Sequence, residues 1–238
     1  DLDKAIQIND LLLIKKLLAQ LGKTPFYKKA KPTPFDEAVS LIWYLENVFY
    51  HSVSKIYNYI QENVYDGGTM NNEIIDLGFW PGGDRDGNPF VTTQITLDVA
   101  ERLRQTILRN YYRDVRRLKR RFTFDGVHEI LARIEKRLYK HVVRSYAKVN
   151  FSQKILLEEL HAAREIVIHK HQSLFVEELN DFINKVRIFG FHFATLDIRQ
   201  DSRVHHDAFT QIVTDLIATG DTTFPKNYHH LSADEQID

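Results

Sequence analysis

The chain has no cysteine among its 238 residues. That excludes a disulfide framework, a thiolate metal site and a cysteine nucleophile, and it is compatible with a cytosolic protein. It has no net charge either, since Lys+Arg and Asp+Glu stand at 32 each. Overall charge therefore points to no polyanionic or cationic partner. No apolar run approaches the roughly 20 residues needed to span a bilayer, and no signal peptide is visible at the start. The sequence contains no H-E-x-x-H, no G-x-S-x-G, no Walker loop and no G-x-G-x-x-G. Zincin, serine-hydrolase, P-loop and dinucleotide-binding chemistry thus lose their usual signatures. The histidines do not replace them. His169 and His171 lie two apart and do not share a helix face, and His205-His206 and His229-His230 are adjacent pairs.

What is present is a large apolar share. The chain is 43% hydrophobic and 12% aromatic, enough for a substantial core in one or two domains. Most of it reads as helix. Ile6, Leu13, Leu17 and Leu21 recur at helical spacing over 3–21. A proline-rich loop follows at 24–34. A long helix is predicted over about 35–63, with Phe35, Val39, Ile42, Phe49, Val53, Ile56 and Ile60 on one side, ending at the stop signal Asp66-Gly67-Gly68. The aromatics Trp43, Tyr44, Phe49, Tyr50, Tyr57 and Tyr59 on this helix read as packing rather than a cofactor box. Residues 74–80 read as a short strand. Thr92 or Thr93 caps a helix to about 120, and Asp125-Gly126 breaks it. Helices follow at about 127–149 and 153–187, the second interrupted near His169–Ser173. Residues 191–198 read as a second strand, 203–219 as a last helix, and the tail from Gly220 as irregular. The fold class is mainly α, a bundle-like helical mass with two short strands.

Residues 79–92, FWPGGDRDGNPFVT, are the most informative stretch. Three glycines, two prolines, two aspartates, one arginine and one tryptophan make a poor helix and a poor strand. Such a segment suits close approach of backbone to a ligand. Arg85, lying between Asp84 and Asp86, is expected to be oriented by them for a bidentate anion such as carboxylate, bicarbonate or phosphate. The bland alternative is that Gly82, Gly83 and Gly87 make turns and Arg85 only bridges its neighbours. A calcium reading of Asp84, Asp86 and Asn88 fails, because the sixth and twelfth loop positions hold Pro89 and Ile95. A second segment, LDIRQDS at 196–202, places Arg199 after the second strand. Its bland reading is a surface ion-pair ladder of Asp197, Arg199 and Asp201.

Residues 102–121 carry nine Lys/Arg against one acid, Asp114. This basic stripe with tyrosines could bind RNA, serve a phosphoanion effector with some of its arginines, or be a solvated helix paired with acids elsewhere. The overall neutrality of the chain favours the last.

The run WPGGDRDGNPFVT resembles the GGDRDGNP region of bacterial and plant-type phosphoenolpyruvate carboxylases, and LDIRQDS resembles the LDIRQES element of the same family. Both occur in the family's order, more than a hundred residues apart. One departure is Pro81, where the family usually has Met. The resemblance implies a (β/α)8 barrel heavily elaborated with helices, with site residues at the C-terminal ends of strands. In that frame 1–73 are helical and 74–92 supply a strand and site loop. Residues 93–190 form a helical insertion, and 191–238 supply strand, LDIRQ loop, helix and tail. The resemblance further implies catalytic roles for Arg85 and Arg199 and substrate contacts from Trp80, Gly82, Gly83, Asp84, Arg85, Arg199 and Gln200. Ser202 would support the loop, and His205 matches a family histidine. The implied reaction joins phosphoenolpyruvate and bicarbonate to give oxaloacetate and phosphate, feeding the tricarboxylic acid cycle. It uses Mg²⁺ or Mn²⁺ and no organic cofactor. The implied parent is a cytoplasmic homotetramer with no nucleic-acid or membrane partner.

Starting at DLDKAIQIND without Met, the chain reads as about a quarter of such a parent, from its N-terminal half. The family's TAHPT histidine, its HGRGG loop and its acidic metal ligands are not in it. The isolated chain is therefore expected to be inactive. The competing expectations are a non-catalytic helical regulatory or binding domain and an RNA-binding module through 102–121.

Overall fold

A computed structural model describes residues 1–25, 31–65, 74–86, 88–143, 151–232 and 235. The stop signal Asp66-Gly67-Gly68, Gly87 and part of the proline-rich loop lie outside the described residues. Contacts divide the chain into two units, Asp1–Thr33 and Pro34–Asp238.

In the first unit the periodic stretch is two helices, α1 (Leu2–Gln7) and α2 (Leu11–Lys23). Asn9 breaks them with a left-handed φ of 54°, and the Asp10 carboxylate caps α2 by accepting from Leu13 N at 2.9 Å. That is the hydrogen bond an N-cap aspartate supplies. Ala5 is buried, but Ile6, Leu13 and Leu21 are exposed, so the expected single apolar face does not form a core.

The second unit opens with α3 (Pro34–Tyr44), a π-helical turn at Leu45–Phe49, and α4 (Tyr50–Asn63). The predicted long helix is thus present, but its buried face differs from the expected one. Ala38, Ile42 and Leu45 are buried before the turn and Tyr50, Val53 and Tyr57 after it. A π turn inserts one extra residue, so the core position after Leu45 moves from Phe49 to Tyr50. Phe49 and Ile56 consequently face solvent. The same shift divides the aromatic stripe. Tyr50 and Tyr57 pack inside, and Trp43, Tyr44, Phe49 and Tyr59 are exposed.

Helix α5 (Thr93–Arg121) starts at Thr92, whose hydroxyl accepts from Ile95 N at 3.3 Å. It packs along α6 (Val127–Val143), which packs on α7 (Gln153–Lys170), which packs on α8 (Val176–Phe189). The turn between α7 and α8 needs left-handed φ at Gln172, Ser173 and Phe175, and the predicted interruption falls there. Val99, Leu103, Ile107, Tyr111, Val115 and Leu118 of α5 meet Leu131, Ile134 and Leu138 of α6 and Phe182, Val186 and Phe189 of α8 in one apolar core.

Inside it lies a polar group. The Tyr50 hydroxyl donates to Asp114 Oδ2 at 2.8 Å. Lys185 Nζ, 4% exposed in its side chain, pairs with Asp114 at 3.3 Å and Asp181 at 2.8 Å. Burial, then the Asp114 carboxylate, push the Tyr50 hydroxyl well above the ordinary tyrosine range. Buried charges persist only when paired in this way. The lone acid of the basic stripe is therefore a core residue.

Two strands complete the unit, β1 (Gly78–Phe79) and β2 (Thr195–Leu196), paired in parallel with Gly78 opposite Thr195 and Phe79 opposite Leu196. Both are shorter than expected: 74–77, 80, 191–194 and 197–198 are not strand. After Gly190 the chain makes a tight turn with Phe193 at φ 72°, so the second strand starts only at Thr195. Helix α9 (Ser202–Ala218) follows, capped by Asp201, which accepts from Arg203 N at 2.8 Å.

Candidate functional site

The two motif loops are hydrogen-bonded to each other. Across the strand pair, Thr195 N donates to Leu77 O at 2.7 Å and Asp197 N to Phe79 O at 2.9 Å. The ladder then continues past both strand ends through a parallel bridge between Asp84 and Arg199. There Arg199 N donates to Gly83 O at 3.0 Å and Arg85 N donates to Arg199 O at 2.9 Å. The backbones of the two arginines singled out from sequence are thus locked side by side.

This closeness explains the paired glycines. A Cβ on Gly83 would fall inside the carbonyl oxygen of Asp197 and 2.9 Å from its carbonyl carbon. Gly83 is needed for space, not for an unusual φ. Gly82 has φ 86°, and a Cβ there would lie 2.6 Å from Val99 Cγ2 on α5. A left-handed residue pressed onto a helix admits only glycine at low cost. Trp80, Gly83 and Asp84 form the turn itself, in which Gly83 N and Asp84 N both donate to Trp80 O, at 2.9 and 3.1 Å.

The side chains divide into three kinds. Arg85 is half-buried and is not held by its flanking acids, contrary to the expectation from sequence. Its Nη2 donates to Thr96 Oγ1 at 3.0 Å, and Thr96 Oγ1 donates to Gly82 O at 2.6 Å. Arg85 Nε is buried without a hydrogen-bond partner. The α5 helix therefore aims Arg85 through Thr96. Thr96 was missed in the sequence. Its spacing of four from the cap Thr92, one helical turn into α5, is the signal that could have found it.

Arg199 and Trp80 are exposed, Trp80 by 53%. Among the described residues Arg199 makes no ion pair, so the Asp197–Arg199–Asp201 ladder does not form. Asp201 is instead taken by Arg203 at 2.9 Å, whose hydrogen bonds hold the Asp201 carboxyl below its usual range. Gln200 turns inward, its Oε1 accepting from Asp201 N at 3.0 Å. Ser202 is the first residue of α9, and His205 is exposed on the same helix.

Two neighbouring loops that carry an exposed arginine without an ion pair among the described residues, a second arginine held by Thr96 and an exposed tryptophan suit a small oxyanion with an apolar part. No group of three His, Cys, Asp or Glu among the described residues could hold a metal ion. Asp84, Asp86 and Asp197 are accordingly not gathered into such a group.

The basic stripe is largely occupied. Arg104 pairs with Glu101, Arg113 with Glu46, Arg116 and Lys119 with Glu135, Arg117 with Asp114 and Arg121 with Glu178. Arg102, Arg109 and Arg120 make no ion pair among the described residues.

Comparison with known proteins agrees with the motifs. A family model described as phosphoenolpyruvate carboxylase matches residues 7–151 and 127–238. A phosphoenolpyruvate carboxylase of Vibrio vulnificus is 27% identical over 94% of this chain and 28% of its own length. That of Shewanella oneidensis is 28% identical over 90% of this chain and 28% of its own. That of Shewanella halifaxensis is 26% identical over 88% and 27%. The chain thus spans little more than a quarter of the length of these relatives. With the family model covering both motif loops and the helices between them, the chain belongs to the phosphoenolpyruvate carboxylase family.

Proposed function

We propose that this chain forms part of the substrate pocket of a phosphoenolpyruvate carboxylase. Arg199 grips the phosphate of phosphoenolpyruvate, Arg85 sits at the bicarbonate side, and Trp80 walls the pocket. The observation that carries this reading is the interlock of the two loops. It presents Arg199, unpaired and exposed, beside the pre-aimed Arg85 at the C-terminal ends of two parallel strands, the position at which barrel enzymes keep their sites. The two strands are read as members of a (β/α)8 barrel whose remainder lies in other parts of a larger chain, and α5 to α8 as a helical insertion between them.

In the reaction bicarbonate attacks the phosphorus, the enol C–O–P linkage breaks, and carboxyphosphate and the pyruvate enolate result. Carboxyphosphate breaks down to carbon dioxide and inorganic phosphate, and the enolate carbon captures the carbon dioxide to give oxaloacetate. Anions must be gathered and water kept from the intermediates. The guanidinium of Arg199 neutralises and orients the phosphate, and Trp80 keeps the reacting face dry. Acids outside these residues would hold a divalent cation, which would supply charge stabilisation at the enolate oxygen. The parent is read as a cytoplasmic, Mg²⁺- or Mn²⁺-dependent homotetramer. The 238 residues alone are read as inert.

Bicarbonate-dependent oxaloacetate formation tests this. The full-length parent is expected to be active and Arg199→Ala to disable it, with the isolated chain inert. An inert, folded parent would move the reading to a non-catalytic regulatory or binding domain.

A further inference from the structure

A second polar concavity lies between α4, α7 and α8, with a volume of about 360 Å³. That is within the range of small-molecule sites, about 300–1,000 Å³. One wall has already satisfied itself. Asn184 Nδ2 donates to Asn58 Oδ1 at 2.9 Å and to Gln61 Oε1 at 3.1 Å, and Asn58 Nδ2 donates to Asp181 Oδ1 at 3.1 Å. The other oxygen of Asp181 is paired with buried Lys185 at 2.8 Å. Its charge is spent.

The cations of the cavity differ from one another. Arg164 is occupied, Nε donating to Asn180 Oδ1 at 2.8 Å and Nη1 to Glu165 Oε1 at 3.1 Å. Arg187, in the last turn of α8, makes no ion pair among the described residues. Its Nη2 lies 3.2 Å from His161 Nε2. Arginine cannot give up its proton, so the imidazole must be the acceptor and neutral. A guanidinium offers five N–H donors in a rigid fork, and a neutral ring uses one. Arg187 is therefore a half-buried cation on a polar hollow, with donors remaining and no carboxylate paired to it.

We propose that this cavity binds a small oxyanion, a carboxylate or phosphate group on a compact polar molecule, held by Arg187 with His161 beside it. The planar fork of Arg187 suits two-point contact with such a group. The site is separate from the Arg85–Arg199 loops and does not depend on the carboxylase reading.

His161 reports occupancy. Burial, then Arg187 and Arg164, hold its pKa low, and only Glu165 pulls it up. Glu62 of α4 and Glu177 and Asp181 of α8 also line the cavity and enter the same balance. An anion on Arg187 cancels the push of that guanidinium, so the His161 pKa must rise.

The experiment is an NMR pH titration of the histidines of this chain with added inorganic phosphate in one arm and acetate in the other. A saturable upward shift of His161, with His141 unmoved, is expected in at least one arm, and the arm that responds names the chemistry. Arg187→Gln is expected to weaken that response about tenfold or more, the effect of losing a charge-assisted hydrogen bond, while Arg203→Gln leaves it unchanged. No shift of His161 with either anion up to roughly 50 mM, where a millimolar site would be filled, overturns the proposal. So does an equal shift at His141 or an undiminished response in folded Arg187→Gln. The unsubstituted titration decides the matter should Arg187→Gln fail to fold.

Discussion

Replacing Gly83 by alanine tests the interlock of the two motif loops. Its Cβ would overlap the Asp197 carbonyl group, a backbone neighbour that cannot rotate away like a side-chain tip. The strands must part at this point. Two hydrogen bonds are then lost, Arg199 N to Gly83 O and Arg85 N to Arg199 O. At about 0.5–1.5 kcal/mol each, the local loss is roughly 1–3 kcal/mol. The helical core is untouched, so the main thermal transition of the chain should move little. Hydrogen exchange should show it most clearly, with the Arg85 and Arg199 amides losing roughly ten- to a hundredfold protection while the α5 and α8 core amides keep theirs. In the full-length parent, a shift of about 1 Å between the two guanidinium groups should cost on the order of a hundredfold in kcat/KM. Full protection at both amides in Gly83→Ala would refute the reasoning, because it would mean that the ladder does not need the missing side chain. Gly83→Ala activity equal to the parent's would refute the link from ladder to catalysis.

Thr96→Val should leave Gly82 O and the Arg85 head without their shared hydroxyl and cost about 1–3 kcal/mol by urea unfolding. Thr96→Ser should recover most of it. Tyr50→Phe removes the buried donor to Asp114 and should cost a similar amount, about 1–3 kcal/mol. It should also raise the rate of exchange at α5 amides near Asp114. His141 and His161 both have their pKa lowered in the folded chain, each chiefly by burial. The unfolded chain therefore binds protons first, and stability must fall as pH drops through the unfolded value of about 6.5 and level off below the folded values. Urea midpoints at a series of pH values should show this slope, and His141→Gln should flatten it. Deleting Val48 should convert the π turn to α by removing its one extra residue, and so keep Tyr50, Val53 and Tyr57 on the core face. Cooperative unfolding read by circular dichroism is expected to survive, whereas a loss of cooperativity would refute this account of the turn.

The parts that could be read from sequence were those with local causes. The Thr92 cap, the break at Asp125-Gly126, the interruption before α8 and the bounds of α9 follow from residues acting on their own neighbours. The loop at 79–92 stood out because its composition suits no regular element, and the one at 196–202 because it resembles the family's LDIRQES element. What stayed hidden depended on partners far along the chain. A five-residue π turn has no period of its own, so the 3.6-residue rule carried the apolar face onto Phe49 and Ile56. Arg85 was assigned to Asp84 and Asp86 because these are its sequence neighbours, yet it bonds Thr96 of helix α5 instead. The single acid at 114 was legible as an oddity in a basic stripe. That it sits in the core with Tyr50 and Lys185 required knowing which face of α5 is inside.

The interlocked loops also bear on how the chain folds. Arg85 and Arg199 are joined by two strands of two residues each, too short to hold together in isolation. Closing the intervening loop of more than a hundred residues costs roughly 4 kcal/mol from its logarithmic length term alone. Only the burial along α5, α6, α7 and α8 can offset that. The pocket's geometry is thus a late product of bundle assembly. A lesion deep in the bundle, such as loss of the Tyr111 hydroxyl that donates to Gly190 O at 2.7 Å just ahead of β2, would blur the spacing of two arginines it never touches.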